Sequence, residues 1–419
     1  MDDWDTQPIP RVPADHERDS ARERDGERRT GRRGGDAGHG HSHSHGPAAP
    51  ASVRVRRLLI ALVAPFALAA VVGVALLFPS GDGPKAVGQQ PVLGTISATQ
   101  AGACGEGDDK QCLTVTVEMT DGKAAGSDIR TTVPLEPSTP RFAVGDDVVL
   151  AYSGGDPLSG GSYQLVDFQR GVPLAVLAAL FAIAVLILGR WQGLKALVSL
   201  GSTFAVLLLF ILPAILRGEN PLLVAVAGAG VIMFVVLYLT HGLSARTTTA
   251  VLGTMVSLAL IGGLSAVFAA SAKLTGLDDE TANLVGSLGT PIDTRGLLLA
   301  GIVIGALGVL DDVTVTQTSA VWELRAANPA LGWRELYAAG GRIGRDHVSS
   351  AVNTLVMAYA GAALPVLLYS SISGVGLGTI LGSQSIAQEI VRTLVGSIGL
   401  VAAVPVTTAI AAWVAVHED

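Results

Sequence analysis

Two adjacent carboxylates follow a long apolar run in the second half of the chain. Residues 297–310 are all apolar or glycine, and Asp311 and Asp312 come directly after them. Such a run rises only about 21 Å as a helix, whereas the hydrocarbon core of a bilayer is about 30 Å thick. Because the helix must continue beyond the acids, both are expected inside or at the edge of a membrane. An ionisable residue there is costly and commonly marks an ion, proton or substrate site.

Helical periodicity assigns the two acids to different faces. Four polar residues recur at i, i+4, i+7 and i+11, namely Asp312, Thr316, Ser319 and Glu323, whereas Asp311 shares the adjoining face with Thr318. We expect the first stripe to line a wet cavity, with Asp312 binding a proton or cation. Asp311 is expected only to widen the polar surface or to pair with a basic neighbour.

A second polar stripe is predicted on the next span. It consists of Asp346, Ser350 and Asn353, at i, i+4 and i+7. Because an asparagine in hydrocarbon needs hydrogen-bond partners, the polar faces of the two helices are expected to meet. Arg342 or Arg345 would then neutralise Asp312 or Glu323. An ion-pair network that only holds the two helices together is the alternative reading.

The elements that would position these residues are membrane helices. The chain has 419 residues, of which 49% are hydrophobic and 15% charged, and ordinary soluble domains are more polar than that. Eight stretches are long enough to span: 58–78, 171–189, 194–216, 221–239, 248–270, 296 to about 317, 348–369 and 390–416. The predicted fold class is an all-α polytopic membrane bundle of about eight transmembrane helices, with helix 1 at 58–78 and a seven-helix membrane domain at 171–416.

The basic residues near the ends of the spans predict the orientation. Seven of them fall on one side, at Arg190, Lys195, Arg246, Arg325, Arg334, Arg342 and Arg345, against four on the other, at Arg217, Lys273, Arg295 and Arg392. Lys and Arg stay preferentially in cytoplasmic loops, so both termini are expected in the cytoplasm.

Two further regions lie outside the predicted spans. Residues 1–57 are charged and lack aliphatic periodicity, which predicts a disordered cytoplasmic tail. The tail contains four histidines at alternate positions, His39, His41, His43 and His45, which are weak candidates for metal binding; incidental low-complexity sequence is the alternative. Residues 79–170 contain five alternating segments, at 92–98, 113–119, 129–135, 147–152 and 163–168, which favour a small extracytoplasmic barrel of the OB type.

The outer domain carries twelve acids and six bases, which argues against nucleic acid as a partner. An interaction or gating role is predicted instead, and a folded domain without a ligand is the alternative. Both cysteines of the chain, Cys104 and Cys112, fall in this domain. A disulfide between them is expected because thiols oxidise on that side of the membrane.

Several short motifs resemble the YibE/F-like family of bacterial multipass membrane proteins. They lie at 144–148, 167–170, 212–213, 218–221, 305–308, 323, 328–329, 344–346, 353–355 and 358–359, so that the resemblance covers roughly residues 87–416. The family pattern has a single Asp preceded by an apolar residue, which Asp312 matches and Asp311 does not. The resemblance implies an integral inner-membrane protein and brings no settled substrate or reaction.

Two classes of function follow. The first is a secondary transporter or permease for a small solute or ion, in which Asp312 couples to a proton or cation and Glu323, Asn353, Arg345 and Asp346 surround it. The second is a non-transporting scaffold or sensor whose outer domain binds a protein partner. No enzyme activity and no cofactor are predicted, because the sequence contains no zinc-protease motif, P-loop or dinucleotide fingerprint.

Overall fold

A computed structural model describes residues 52–80, 90–104, 111–137, 139–278, 281–282, 285–286, 292–372, 374 and 376–418. The histidine run predicted as a weak metal site lies outside these residues, as does nearly all of the predicted tail. Helices make up most of the described part, and a small curled antiparallel sheet lies between the first two of them.

The helices, numbered in chain order, are α1 (Val53–Leu77), α2 (Gly171–Val206), α3 (Leu212–Leu216), α4 (Pro221–His241), α5 (Ala245–Ser271), α6 (Thr294–Ala327), α7 (Trp333–Ile372), α8 (Leu377–Leu381) and α9 (Gln384–Val416). Seven helical stretches in the described part are long and apolar enough to cross a membrane. The stretch Gly171–Leu216 counts as one of these, joining α2 to α3 through a π-helical segment, Leu207–Ile211.

A sharp break at Arg190 divides α2. Its backbone dihedrals, φ 49° and ψ −121°, are not helical, and a non-glycine residue with positive φ is uncommon. Three residues later, a Cβ added to Gly193 would overlap the carbonyl of Val185. In a straight helix these two residues would be about 12 Å apart along the axis, so the chain turns back on itself between the two predicted spans 171–189 and 194–216.

Several chain segments meet at one end of the bundle. The Ser52 hydroxyl, which caps α1, donates to the carbonyl of His417, just beyond α9, at 3.0 Å. Buried side chains from the start of α1, the end of α6, the start of α7 and the end of α9 form one cluster there: Val55, Leu59, Val321, Trp322, Leu336, Ala411, Ala412, Val414 and Ala415. The helix α1 begins five residues before the predicted span, because Ser52 supplies its N-cap.

The bundle interior is formed mainly by α4, α5, α6 and α9, where small residues allow close packing. A Cβ added to Gly253 of α5 would overlap the Thr407 side chain of α9, and one added to Gly399 would overlap Ile261. Glycines at such contacts let transmembrane helices approach closely. The long helix α7 packs along one side only, so that most of its residues between Arg345 and Tyr369 are exposed or partly buried.

The sheet consists of β1 (Gln90–Ala103), β2 (Gln111–Met119), β3 (Asp128–Pro134), β4 (Asp147–Tyr152) and β5 (Tyr163–Phe168), in the order β3-β2-β1-β4-β5. All neighbours are antiparallel. The edge strands approach each other: the Thr131 hydroxyl of β3 donates to the Tyr163 carbonyl of β5 at 3.0 Å. The sheet therefore curls into a half-barrel around an apolar core, and its five strands lie where the alternation predicted them.

A disulfide joins Cys104 and Cys112, whose Cα atoms are 4.9 Å apart. It ties the end of β1 to the start of β2, where Gly102 faces Cys112 in the strand register. The bridge therefore holds the ends of two paired strands together.

Candidate functional site

A cavity of about 640 Å³ enters the bundle at the end where α4 passes into α5. Its walls come from four helices and one connection, and the lining residues are Gln192, Lys195 and Ala196 of α2, Thr240 and His241 of α4, Gly242 and Ser244 between helices, Arg246, Thr247 and Ala250 of α5, and Val315, Thr318 and Ser319 of α6. Because these segments are distant in the sequence, the cavity exists only in the folded bundle.

Local capping explains why the connection between α4 and α5 keeps its shape. The chain leaves α4 through Gly242, whose φ of 78° suits glycine. Ser244 then caps α5: its hydroxyl accepts from the Thr247 backbone N–H at 3.1 Å and lies 2.9 Å from the Thr247 hydroxyl. The positive end of the α5 dipole therefore faces the same end of the bundle as the cavity.

Basic and hydroxyl groups dominate the polar lining of the cavity. Lys195, His241 and Arg246 are the basic members, and none of the described lining residues is acidic. The Arg246 Nε donates to the Ser319 hydroxyl at 3.2 Å, and one of its terminal nitrogens lies 3.8 Å from Glu323. Glu323 itself is outside the lining, with 67% of its side chain exposed.

The helix α6 carries polar residues on two opposite faces. The buried face contains Thr314, Gln317 and Thr318. Thr314 pairs with Thr254 of α5 at 2.8 Å, and the Gln317 amide donates to the Gly340 carbonyl of α7 at 2.7 Å. These bonds connect α6 to two of its neighbours, α5 and α7, inside the bundle.

The predicted stripe on α6 faces the other way. Asp312, Thr316 and Glu323 do share one face, as the periodicity required, but that face is exposed. Of the four predicted members, only Ser319 lines the cavity. Asp312 therefore does not line this cavity as expected, because α4, α5, α7 and α9 pack against the other sides of the helix. Glu323 is paired with Arg246 rather than with Arg342 or Arg345.

Asp311 is the more enclosed of the two acids. Its side chain is partly buried, and its Oδ1 has no hydrogen-bond partner among the described residues. Asp311 precedes Val315 and Thr318 by four and seven residues, so all three share one helix face. Val315 and Thr318 line the cavity, and Asp311 lies one turn, about 6 Å, further into the bundle than Val315.

The second predicted stripe is also exposed. Arg345, Asp346 and Asn353 of α7 face away from the helices that α7 contacts. Its packed side carries Val348, Ala351 and Val352, which contact the cluster formed by Val313, Leu400 and Val404. The predicted meeting of two polar faces does not occur, because α7 uses its apolar and glycine side for packing.

The basic residues that line the cavity were not among the site residues predicted from the sequence. Lys195 and Arg246 served only to predict the topology, and His241 carried no signal of its own. Their common feature was detectable: all three lie at span ends on the side predicted to be cytoplasmic. What the sequence lacked was the break at Arg190, which directs Lys195 toward α5.

Other chemistry is sparse in the part of the chain that the structure describes. No group of three or more His, Cys, Asp or Glu side chains could hold a metal ion among those residues.

In the half-barrel, Arg170 forms a bidentate pair with Asp167 at 2.6 and 2.8 Å. The Arg170 hydrogen bonds, with the Phe168 backbone N–H, hold the pKa of the Asp167 carboxyl below its usual value.

Comparison with models of protein families gives a match over the helical part of the chain. The family model described as YibE/F-like protein matches residues 177–417, which is more than half of the chain and includes α4 to α9. The half-barrel lies before the matched region, so the motifs at 144–148 and 167–170 fall outside it. No curated protein and no solved structure matches the chain. Because this match covers more than half of the chain, including its apolar helices with their glycine contacts, the chain belongs to the YibE/F-like protein family.

Proposed function

We propose that this integral membrane protein is a secondary transporter or permease for a small solute. The observation that carries the proposal is the 640 Å³ cavity, which enters the bundle from one end. One helical turn beyond its lining lies a carboxylate oxygen of Asp311 that has no hydrogen-bond partner among the described residues. A polar entrance followed by an unpaired acid in a transmembrane helix is the arrangement expected of a solute path with a coupling group.

The proposed topology has eight crossings. The break at Arg190 supports two crossings within Gly171–Leu216, because the chain reverses there. With that reversal, the contact between Ser52 and His417 is consistent with both ends of the described chain lying on one side. The basic residues Lys195, Arg246 and Arg325 fall on that side, which supports a cytoplasmic opening for the cavity.

Asp311 is proposed as the coupling carboxylate, in place of Asp312. A carboxylate near a wet cavity can bind and release a proton as the helices around it rearrange, and protonation removes the cost of an unpaired charge in a span. Asp312 is exposed on the adjoining face of α6 and is not among the described residues that line the cavity.

The test is solute-driven proton movement in proteoliposomes. The purified protein is reconstituted with a pH-sensitive dye inside, and a panel of small solutes (inorganic phosphate, sulfate, acetate, amino acids and sugars) is added outside. At least one solute is expected to move protons through the wild type and to move none through Asp311→Asn. A panel in which no solute gives a signal above protein-free liposomes would overturn the proposal.

The exposed polar side of α7 favours a second candidate function, a scaffold or sensor. Arg345, Asp346 and Asn353 are unfavourable against lipid, so a protein partner that covers them would stabilise the assembly. In that case, Asn353→Leu should release a partner that co-purifies with the wild type, while Asp311→Asn should retain it. If Asn353→Leu retains every partner that co-purifies with the wild type, this alternative is wrong.

A further inference from the structure

We infer that the cavity is a binding site for a small oxyanion, a phosphate or carboxylate group, held by Lys195, His241 and Arg246. The inference deepens the proposed permease by naming its class of solute, and it rests on that proposed function for the passage of the anion across the membrane. The binding step is argued from the cavity alone.

The charge of the lining favours an anion. Three of the thirteen described lining residues are basic, and none of these thirteen is acidic. Lys195 makes no ion pair with any residue that the structure describes, so its ammonium group remains available to a ligand. In a partly enclosed cavity, the positive charges of Lys195 and Arg246 interact more strongly with an anion than they would in bulk water.

Arg246 supplies the directed contact. Its Nε is fixed by the Ser319 hydroxyl at 3.2 Å, and this bond orients the guanidinium plane at the cavity wall. Its only carboxylate within ion-pair distance in the described chain is Glu323, at a loose 3.8 Å. A guanidinium binds phosphate and carboxylate groups through paired N–H donors. An incoming oxyanion would therefore compete with an exposed, weakly held carboxylate, which is a modest cost.

Hydroxyl donors complete the site. The Thr318 side chain is 0% exposed, lines the cavity, and its hydroxyl has no hydrogen-bond partner among the described residues. An enclosed hydroxyl without a partner costs free energy that a ligand oxygen can recover. The N-terminus of α5, a helix of 27 residues, adds a favourable dipole at the same wall.

The size and the donor set limit the ligand. At about 640 Å³ the cavity is within the range of small-molecule sites, so that an oxyanion with an organic portion fits as well as an inorganic ion. A divalent cation is disfavoured, because the lining offers one imidazole and no carboxylate among its described residues. The same phosphate chemistry could come from a soluble anion or from a lipid headgroup.

Binding is tested on the full-length protein in nanodiscs made of phosphatidylcholine, by calorimetric titration with sodium phosphate at constant ionic strength. Wild-type protein is expected to bind phosphate at one site. Arg246→Gln should weaken binding by about 10- to 100-fold, the range of a charge-assisted hydrogen bond. Lys195→Gln, which changes an exposed side chain and keeps the fold, should weaken it by about 3- to 10-fold.

Two further variants sharpen the test. Glu323→Gln removes the competing carboxylate and should tighten binding, opposite in sign to the loss at Arg246. Arg57→Gln removes an exposed charge near the same end of the bundle without touching the lining, and should bind phosphate like the wild type. Equal affinities for wild type, Arg246→Gln and Lys195→Gln would overturn the inference, because a diffuse surface charge would then account for binding.

A second arm identifies the source of the anion. Nanodiscs containing phosphatidylglycerol are titrated with phosphate in the same way. If phosphatidylglycerol abolishes phosphate binding to the wild type, and the Arg246→Gln variant no longer retains phosphatidylglycerol, the site holds a lipid headgroup. If phosphate binding is unchanged, the site holds a soluble anion. Absence of Arg246-dependent binding in both arms overturns the inference.

The outcomes separate this inference from the permease proposal. Phosphate binding that depends on Arg246, without proton movement by any anion in liposomes, keeps the anion site and removes the transport function. Proton movement driven by an uncharged solute through the wild type and lost in Asp311→Asn, without anion binding, keeps the permease and removes the anion site.

Discussion

Substitution of Gly344 by alanine tests the packing that holds the cavity-lining helix in place. Gly344 is buried on the packed side of α7. A Cβ added there would overlap Val404 Cγ1 of α9 and lie 2.6 Å from Gln317 Oε1 of α6, whereas non-bonded carbon atoms pack at about 3.5–4.0 Å. The alanine methyl therefore fits only if the Val404 and Gln317 side chains are displaced or α7 moves away from both neighbours.

The expected loss has two parts. Inserting a methyl group into a packed interior costs about 1–3 kcal/mol. Displacing Gln317 also weakens its 2.7 Å bond to the Gly340 carbonyl, which contributes about 1 kcal/mol. We expect Gly344→Ala to lower the free energy of unfolding by about 2–4 kcal/mol, measured by steric trapping or by reversible denaturation in mixed micelles.

Gly341→Ala is the matched control. It lies in the same helix, and no described atom other than its own helix backbone and chain neighbours comes within 4 Å of an added Cβ. Alanine has a higher helix propensity than glycine, so this variant should be stabilised by up to about 1 kcal/mol. If the two variants differ by less than about 1 kcal/mol, the close contact of α6, α7 and α9 is not as described.

Three further predictions concern other parts of the molecule. The double substitution of Cys104 and Cys112 by serine should lower the free energy of unfolding of the half-barrel by about 2.5 kcal/mol, from the loop entropy of an eight-residue separation; a stability equal to that of the wild type would contradict this. Asp311→Leu should raise the melting temperature, because it removes a carboxylate oxygen that has no hydrogen-bond partner among the described residues. A lower melting temperature would show that Asp311 has a partner. Arg170→Gln should raise the pKa of Asp167 toward its usual value, which a titration followed by the NMR shift of the Asp167 carboxyl carbon would measure. Because the wild-type pKa is lowered, the stabilisation from this ion pair is present above about pH 4. It is lost as the pH falls through that lowered pKa.

The sequence predicted the half-barrel strands closely. A strand with one face on an apolar core must alternate, and the runs around Val115, Val117, Leu150 and Leu165 do so. The short hydrogen-bonded ladders between neighbours then leave little freedom in register.

The direction of the polar stripes could not be predicted in the same way. In a soluble helix the polar side faces water, but in a membrane helix hydroxyl and amide groups such as Thr314 and Gln317 are buried once a neighbour bonds to them. Periodicity therefore grouped Asp312 with Glu323 correctly and gave no information about which side packs. The identity of the partner helices decides that, and it depends on the whole bundle.

The cavity was missed for a related reason. Lys195, His241 and Arg246 come from three segments whose meeting requires the reversal at Arg190 and the cap at Ser244. Each residue by itself is an ordinary basic group at the end of a span. Only the tertiary structure brings the three residues together in the lining of one cavity.

Proton movement through the two single-acid variants tests the central claim most directly. Proteoliposomes of wild type, Asp311→Asn and Asp312→Asn receive the same inward gradient of the anion that the wild type moves, and internal pH is recorded. We expect Asp312→Asn to acidify like the wild type and Asp311→Asn to give no acidification while it still binds the anion. Acidification by Asp311→Asn at the wild-type rate would contradict the account.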